Sequence, residues 1–307
     1  MSIAIAVRGL TKTFRTKRGK VDALRGLDLQ VREGEVYGFI GVNGAGKSTC
    51  IKSILGLIHP TSGTIEVFGE PGGTLEARRK TGYLPEVATY HEFATAEELL
   101  LMHARLAGVP SAMQAERCKR ALEDVSLSHR STSRLSEFSK GMKQRFGIAQ
   151  ALVGDPPLLV LDELTSGLDP FAQRELREVI MRLKGKGITV FFSSHYMAEI
   201  ETICDRVGIV HRGKMRAEGS LHDLLSDEGH IQVELDKPGN DLSLLETWKF
   251  QAPRADLWVA RVPAAELNAC LTELLAADVR IGRVERGNSP LEEYFHQTTL
   301  RVDKEEG

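Results

Sequence analysis

The sequence predicts an α/β fold, and three observations carry that expectation. Over the first two hundred residues, short β-branched runs alternate with helical patterns, as parallel strands joined by crossover helices would. A glycine-rich turn, Gly41 to Gly46, separates a buried strand from a helical run. After about Ser226 the texture changes to alternating strands with short helices, so a small α+β domain is expected over 226–307, behind a larger domain over 1–225. The length agrees: 307 residues at roughly 150 residues per domain make about two.

Taken in order, Ala4 to Arg8 and Leu27 to Val31 read as antiparallel strands of a small added sheet, set off by the turn residues Arg32 to Glu35. Val36 to Ile40, Leu158 to Leu161 and Ile188 to Phe192 read as buried parallel strands, each ending where polar residues begin. In such sheets a ligand lies beyond the carboxyl ends of the strands. A helix is expected over Lys47 to Leu57. From Ala94 to Ser133 apolar residues recur at helical spacing, with Leu99, Leu100, Met102 and Leu106 followed by Ala121, Leu122 and Val125, so a helical insert is expected over about 87–138. In the second domain Ile231 to Leu235 and Leu257 to Val262 alternate, with a turn at Lys237-Pro238-Gly239-Asn240 between them. A helix over Pro263 to Ala277, a strand over Val279 to Glu285 and a last helix begun by Ser289, with Pro290 at its first position and Glu292 closing a capping box, complete the expectation.

Composition excludes several classes. Forty basic residues against 42 acidic ones leave a net charge of −2, and no block of like charge forms an arm for nucleic acid. The longest stretch free of charged residues, Ser53 to Ile65, is broken by His59, Pro60 and Gly63 and falls short of the roughly 18 apolar residues that span a bilayer. The opening Met1 to Val7 lacks a basic segment and a cleavage site, so it reads as a strand and a cytosolic location is expected. Cys50, Cys118, Cys204 and Cys270 form no C-x-x-C pair and are expected as thiols.

Gly41-Val42-Asn43-Gly44-Ala45-Gly46-Lys47-Ser48 fits G-x-x-x-x-G-K-[ST], between a strand and a helix as the pattern requires. Such glycines fold backbone N–H groups around a phosphate chain, the helix end adds positive dipole, Lys47 reaches terminal phosphates, and the Ser48 hydroxyl ligates Mg²⁺. Downstream, Leu158 to Leu161 delivers Asp162 and Glu163 to the same sheet edge. Asp162 is placed to hold Mg²⁺ through its water shell, and Glu163 to orient or deprotonate a water attacking a γ-phosphate. These two features alone leave kinases, GTPases and many ATPases open.

Glu137-Phe138-Ser139-Lys140-Gly141-Met142-Lys143-Gln144-Arg145 opens a helical run about twenty residues before Asp162. It resembles the L-S-G-G-Q signature of ABC ATPases, in the F/Y-S-K-G-M-K-Q-R form, and the resemblance covers about Ser2 to Leu225. It implies a P-loop ATPase core with a mainly parallel sheet and a small antiparallel one. It also implies ATP bound by Gly41, Asn43, Gly44, Ala45, Gly46, Lys47, Ser48 and Thr49, and Ser139 and the Gly141 N–H serving a nucleotide held by a second such subunit, most simply an identical one. His195 matches the switch histidine that contacts the γ-phosphate, and Ser166-Gly167-Leu168-Asp169 the loop that couples the two sites, with Asp169 contributing to nucleotide binding. Phe14 is the candidate for stacking on adenine. Glu86 stands where the family usually has Gln, a carboxylate still able to ligate Mg²⁺. Leu164 replaces the usual Pro, and Lys140 and Met142 replace Gly and Gln of the signature.

The resemblance therefore implies the ATP-hydrolysing subunit of an ABC transporter, held at the cytoplasmic face of the membrane by a separately encoded permease. The tail through Ser289 to Phe295 is similar to those of exporter-type subunits, which implies export. A soluble ABC ATPase of translation or DNA repair is the alternative; such proteins usually carry two cores or a long coiled coil, whereas this chain has one phosphate loop and no sustained heptads.

Overall fold

The computed structural model describes residues 2–17, 19–225, 230–237, 242–254, 257–286, 291–292, 294–295 and 298. The chain divides into two compact units, Met1–Gly219 and Ser220–Gly307.

The first unit begins with β1 (Ile3–Thr16) and β2 (Gly19–Arg32), a long antiparallel pair. Both strands run well beyond the short segments read from the sequence. Gly9 and Gly26, at φ +57° and +79°, sit where the pairing register shifts, and such bulges let a strand bend and continue where an alternating pattern breaks. β3 (Val36–Ile40) leads through the glycine-rich turn into α1 (Lys47–Ile54). That helix stops before the expected Leu57 because Gly56 turns left-handed at φ +66°, and a side chain there would meet the backbone of Gly73. β4 (Ser62–Val67) and β5 (Glu70–Pro71) extend the first pair into a sheet of order β2-β1-β4-β5. α2 (Leu75–Arg79) and β6 (Thr81–Leu84) come next.

The helical insert holds α3 (Ala96–Leu106) and α4 (Ser111–Asp124). Thr95 and Glu98 form a reciprocal capping box at the start of α3. An isolated bridge between Thr95 and Arg134, with Ala96 N–H to Ser133 O at 3.1 Å and Leu135 N–H to Ala94 O at 3.1 Å, ties the base of the insert together. α5 (Lys140–Leu152), β7 (Leu158–Asp162), α6 (Pro170–Gly185), β8 (Thr189–Ser194), α7 (Met197–Ile203), β9 (Arg206–His211) and β10 (Lys214–Ser220) complete the sheet order β10-β9-β3-β8-β7-β6. Strands β9, β3, β8, β7 and β6 are parallel, so their carboxyl ends share one edge. Tyr37, Phe39 and Phe191 pack in the core beneath that edge, with ring centroids 5.8 Å and 5.5 Å from Phe191.

The second unit contains α8 (Leu221–Leu224), β11 (His230–Lys237), α9 (Leu242–Thr247), β12 (Gln251–Arg254), β13 (Leu257–Pro263), α10 (Leu267–Ala276) and β14 (Arg280–Arg286). Its antiparallel sheet, in the order β12-β13-β11-β14, has its own apolar core around Val233, Leu235, Ala260, Cys270 and Leu274. α10 starts later than Pro263, because that residue ends β13 and the next three form a turn. The turn at Pro238 to Asn240 lies outside the described residues, as do Ser289 and Pro290. Leu291 and Phe295 are helical and buried. No described helix is long and apolar enough to cross a membrane.

Phe191→Ala should lower stability by about 3–5 kcal/mol, because the ring is fully buried between two aromatic neighbours that cannot close the cavity. A urea unfolding midpoint that falls at constant slope is the expected result.

Candidate active site

The segment between β3 and α1 is shaped by close approaches. A side chain on Gly41 would lie 2.6 Å from the Val210 carbonyl, and one on Gly46 2.7 Å from the Ala23 carbonyl. Gly44 and Gly46 hold φ +82° and +111°, which a larger residue adopts only at a cost. Gly46 caps α1 without any side-chain hydrogen bond, and no acidic residue occupies the helix's first turn. The first N–H groups of α1 and its positive dipole end are thus left for an anion. Asn43 and Gly44 are exposed, Ala45 is buried, and Ser48 and Thr49 are half-buried.

Lys47 is only 5% exposed, and its Nζ donates to the Gly41 carbonyl at 2.6 Å. The same Nζ lies 3.0 Å from Glu163 Oε1, on a carboxylate 8% exposed. The other oxygen, Oε2, meets His195 Nδ1 at 2.6 Å; a carboxylate accepts, so Nδ1 carries the proton. Three residues separated by up to 148 positions thereby form one chain of contacts. β3, β8 and β7 are adjacent and parallel, with Phe39 opposite Ser193 and Ser193 opposite Asp162, which puts their carboxyl ends level.

Ser193 locks the two acids. Its Oγ donates to Asp162 Oδ1 at 2.6 Å and accepts from the Glu163 N–H at 3.1 Å. Glu163 itself has φ +49°, a left-handed conformation that costs a non-glycine residue about 1–2 kcal/mol. Glu86, exposed just past β6, and Asp162 both act on Tyr83, whose hydroxyl is pushed up to about 12, first by burial and then by these two negative charges. Ser48, Asp162 and Glu86 offer only oxygen donors, the set that suits Mg²⁺ rather than a softer metal. Phe14 is half-buried and pairs with Val21 in β2, two residues before the Ala23 carbonyl that abuts Gly46; Lys12 Nζ sits 5.1 Å from its ring centre.

The structure places Ser139 and Gly141 elsewhere. Ser139 caps α5 by accepting from the Met142 N–H at 3.2 Å, and Asp169 caps α6 by accepting from the Ala172 N–H at 2.9 Å. A side chain on Gly141 would lie 2.7 Å from Ala172 Cβ, so the glycine is what lets the starts of α5 and α6 approach. The described contacts of Ser139, Gly141 and Asp169 run along α5 and α6, not to residues 41–49.

The ABC transporter family matches residues 24–166 of this chain. The bacitracin transport ATP-binding protein BcrA of Bacillus licheniformis is 43% identical over 250 residues, 80% of this chain and 79% of that protein. An uncharacterised ABC transporter ATP-binding protein of Synechocystis is 35% identical over 93% of this chain and 82% of its own length. The chain belongs to the ATP-binding subunits of ABC transporters. A solved ATP-binding subunit of an ABC transporter agrees in fold at TM-score 0.63 and 36% identity, covering 73% of this chain and 92% of that one. This protein is accordingly an ATP-binding ATPase of the ABC transporter kind.

Sequence reasoning missed the contacts of three residues of this ABC ATPase. Ser193 was legible only as a strand end, and the hydrogen bonds of Lys140 Nζ to the carbonyls of Ser166 and Gly167 join residues 26 and 27 apart. Glu199 in α7 accepts from the Thr165 hydroxyl while its Oε1 finds no partner among the described residues. Burial raises the Glu199 carboxyl above its ordinary value; the Thr165 hydrogen bond, Arg177 and His195 oppose this and Glu163 adds to it.

A carboxyl raised by folding favours the native state while protonated, and that stability is lost as pH climbs through the folded value. Glu199→Gln keeps an acceptor for Thr165 and removes the charge. The melting-temperature gain of this variant should therefore widen between about pH 4 and about pH 7; a gap that stays constant with pH would contradict the assignment.

Proposed function

We propose that this ABC ATPase powers export through a separately encoded permease, binding two ATP molecules between two identical copies of itself at the cytoplasmic face of the membrane. The observation that carries the catalytic part is the chain of contacts from buried Lys47 through buried Glu163 to half-buried His195, at the edge where the phosphate loop ends. Export is supported by Nod factor export ATP-binding protein I of Burkholderia, 38% identical over 73% of this chain.

In this reading Phe14 stacks on adenine, and the N–H groups from Gly41 through Thr49, with Asn43 and Ala45 among them, cradle the phosphates. A polyphosphate entering the loop gives Lys47 phosphate oxygens in exchange for one carboxylate contact. Glu163 is then free to take a proton from water. The water oxygen bonds to the γ-phosphorus, the bridging P–O bond breaks, and its electron pair leaves on the β-phosphate oxygen of ADP. His195 holds the Glu163 carboxylate through Nδ1 and turns its other nitrogen to the γ-phosphate. Ser48 and Asp162, with Glu86, would hold Mg²⁺, which when bound neutralises charge on the phosphate oxygens. Ser139 and Gly141 offer a second anion site to the nucleotide of the partner copy, and Asp169 lies in the loop between the two.

The insert provides the surface for the permease. Val87, 75% exposed, lines a cleft with Pro85, Tyr90, His91 and Met102 directly after Glu86, and Phe93 and Leu106 of the same insert are also exposed. Apolar side chains this exposed mark an interaction face, and both ends of the insert join residues that respond to nucleotide.

Glu163→Gln should lower kcat by about a hundredfold or more at nearly unchanged ATP affinity and accumulate as an ATP-bound dimer on a sizing column, since only the proton acceptor is lost. Lys47→Ala should instead weaken ATP binding about ten- to a hundredfold in direct titration. Hydrolysis by Glu163→Gln within a few-fold of the parent would require another base. For the permease, cysteines placed along Tyr90 to Gly108 should cross-link to it in membranes; capture only from residues after Ser226 would move the docking surface to the second unit.

A further inference from the structure

We propose that Lys140 is a positioning residue for hydrolysis: its ammonium pins the loop Ser166–Asp169 of its own chain and so sets the stance of Glu163 at the root of that loop. The inference rests on Glu163 as the proton acceptor and on the Ser139–Gly141 segment as the site for the partner copy's nucleotide.

Lys140 is the first residue of α5, at the positive end of a helix whose first turn holds no acidic residue. The dipole there disfavours a cation, so the position is a poor one for lysine unless the side chain finds acceptors elsewhere. It finds two. Nζ donates to Ser166 O at 2.8 Å and to Gly167 O at 3.2 Å. Gly167 is fitted to this contact, because it holds φ +67° and a side chain on it would lie 2.5 Å from Nζ. The lysine and the glycine therefore make one device.

The loop is fastened at both ends already. At its start, the Ser166 N–H reaches the Glu163 carbonyl at 3.4 Å, the Leu168 N–H reaches the Thr165 carbonyl at 3.2 Å, and the Thr165 hydroxyl is held by Glu199 of α7. At its end, Asp169 caps α6, against which Gly141 packs. Lys140 alone among the described contacts ties the middle of the loop to the signature segment. Glu163, three residues before Ser166, stands in a strained left-handed conformation that the loop immediately after it must hold in place. Movement of the α5 end when Ser139 and Gly141 engage the partner's nucleotide is thereby passed to the chain's own Glu163, without Lys140 touching either nucleotide.

Lys140→Met keeps the stem and removes the donors, while Lys140→Arg keeps donors in reach. Lys140 is exposed, so both variants should fold with parental melting temperatures. In steady-state ATPase assays on the full chain, Lys140→Met should lose about tenfold in kcat with KM for ATP within about twofold of the parent, and Lys140→Arg should recover most of the rate. The proposal is overturned if Lys140→Met hydrolyses at the parental rate, if KM rises in step with the loss of kcat, which would place the ammonium on nucleotide, or if Lys140→Arg is no better than Lys140→Met. Glu163→Gln measured alongside separates the two levels: an active Glu163→Gln refutes the catalytic reading, whereas an inactive one beside a parental Lys140→Met refutes only the role of Lys140.

Discussion

A lysine and a glutamate, each more than nine-tenths buried, meet at 3.0 Å where β3 and β7 end, and the architecture of the first unit serves that meeting. Taking two charges out of water is costly, and their attraction offsets it only when every remaining polar atom is satisfied. Here the Gly41 carbonyl takes a second proton of Lys47, and His195 takes the other oxygen of Glu163. The parallel order β3-β8-β7 makes these three groups neighbours, and the aromatic packing of Tyr37, Phe39 and Phe191 beneath them keeps the strands level. A buried ion pair is poor evidence for stability on its own. Beside the uncapped start of α1, such a pair suits the charged ligand of the proposed reading.

Local strain is concentrated at the same place. Glu163 at φ +49° comes directly after a strand whose five residues are all buried, and the Ser193 hydroxyl and carbonyl both accept its N–H. Strained residues persist where surroundings over-determine them. Ser193 does so from β8, Lys47 from α1 and His195 from beyond β8. The acidic strand end is thus a junction of three elements rather than a property of β7.

The second unit folds around its own core, and both tryptophans of the chain belong to it; Trp248 donates to Glu273 at 2.9 Å. The family match ends at residue 166, but the Synechocystis relative aligns over 93% of the chain and so extends into this unit. The unit is therefore shared with a full-length relative and is not peculiar to this chain.

Local chemistry was enough for the sequence to determine the glycine-rich turn before Lys47, the buried strands β3, β7 and β8, the helical character of the insert and the place of Asp162 and Glu163 at a strand end. Glycine at fixed offsets before Lys47, runs of β-branched and aromatic residues, and helical spacing of Leu99 to Leu106 are all properties of neighbours in the chain. Strand lengths in β1 and β2 were not legible, because bulges at Gly9 and Gly26 shift the pairing register where the alternating pattern stops. Nor were the partners of Glu163, the seat of Lys140 on Ser166 and Gly167, or the burial of Glu199. Those contacts join residues 26 to 116 positions apart, and only the order of strands in the sheet and the packing of α5 against α6 bring them within hydrogen-bond distance.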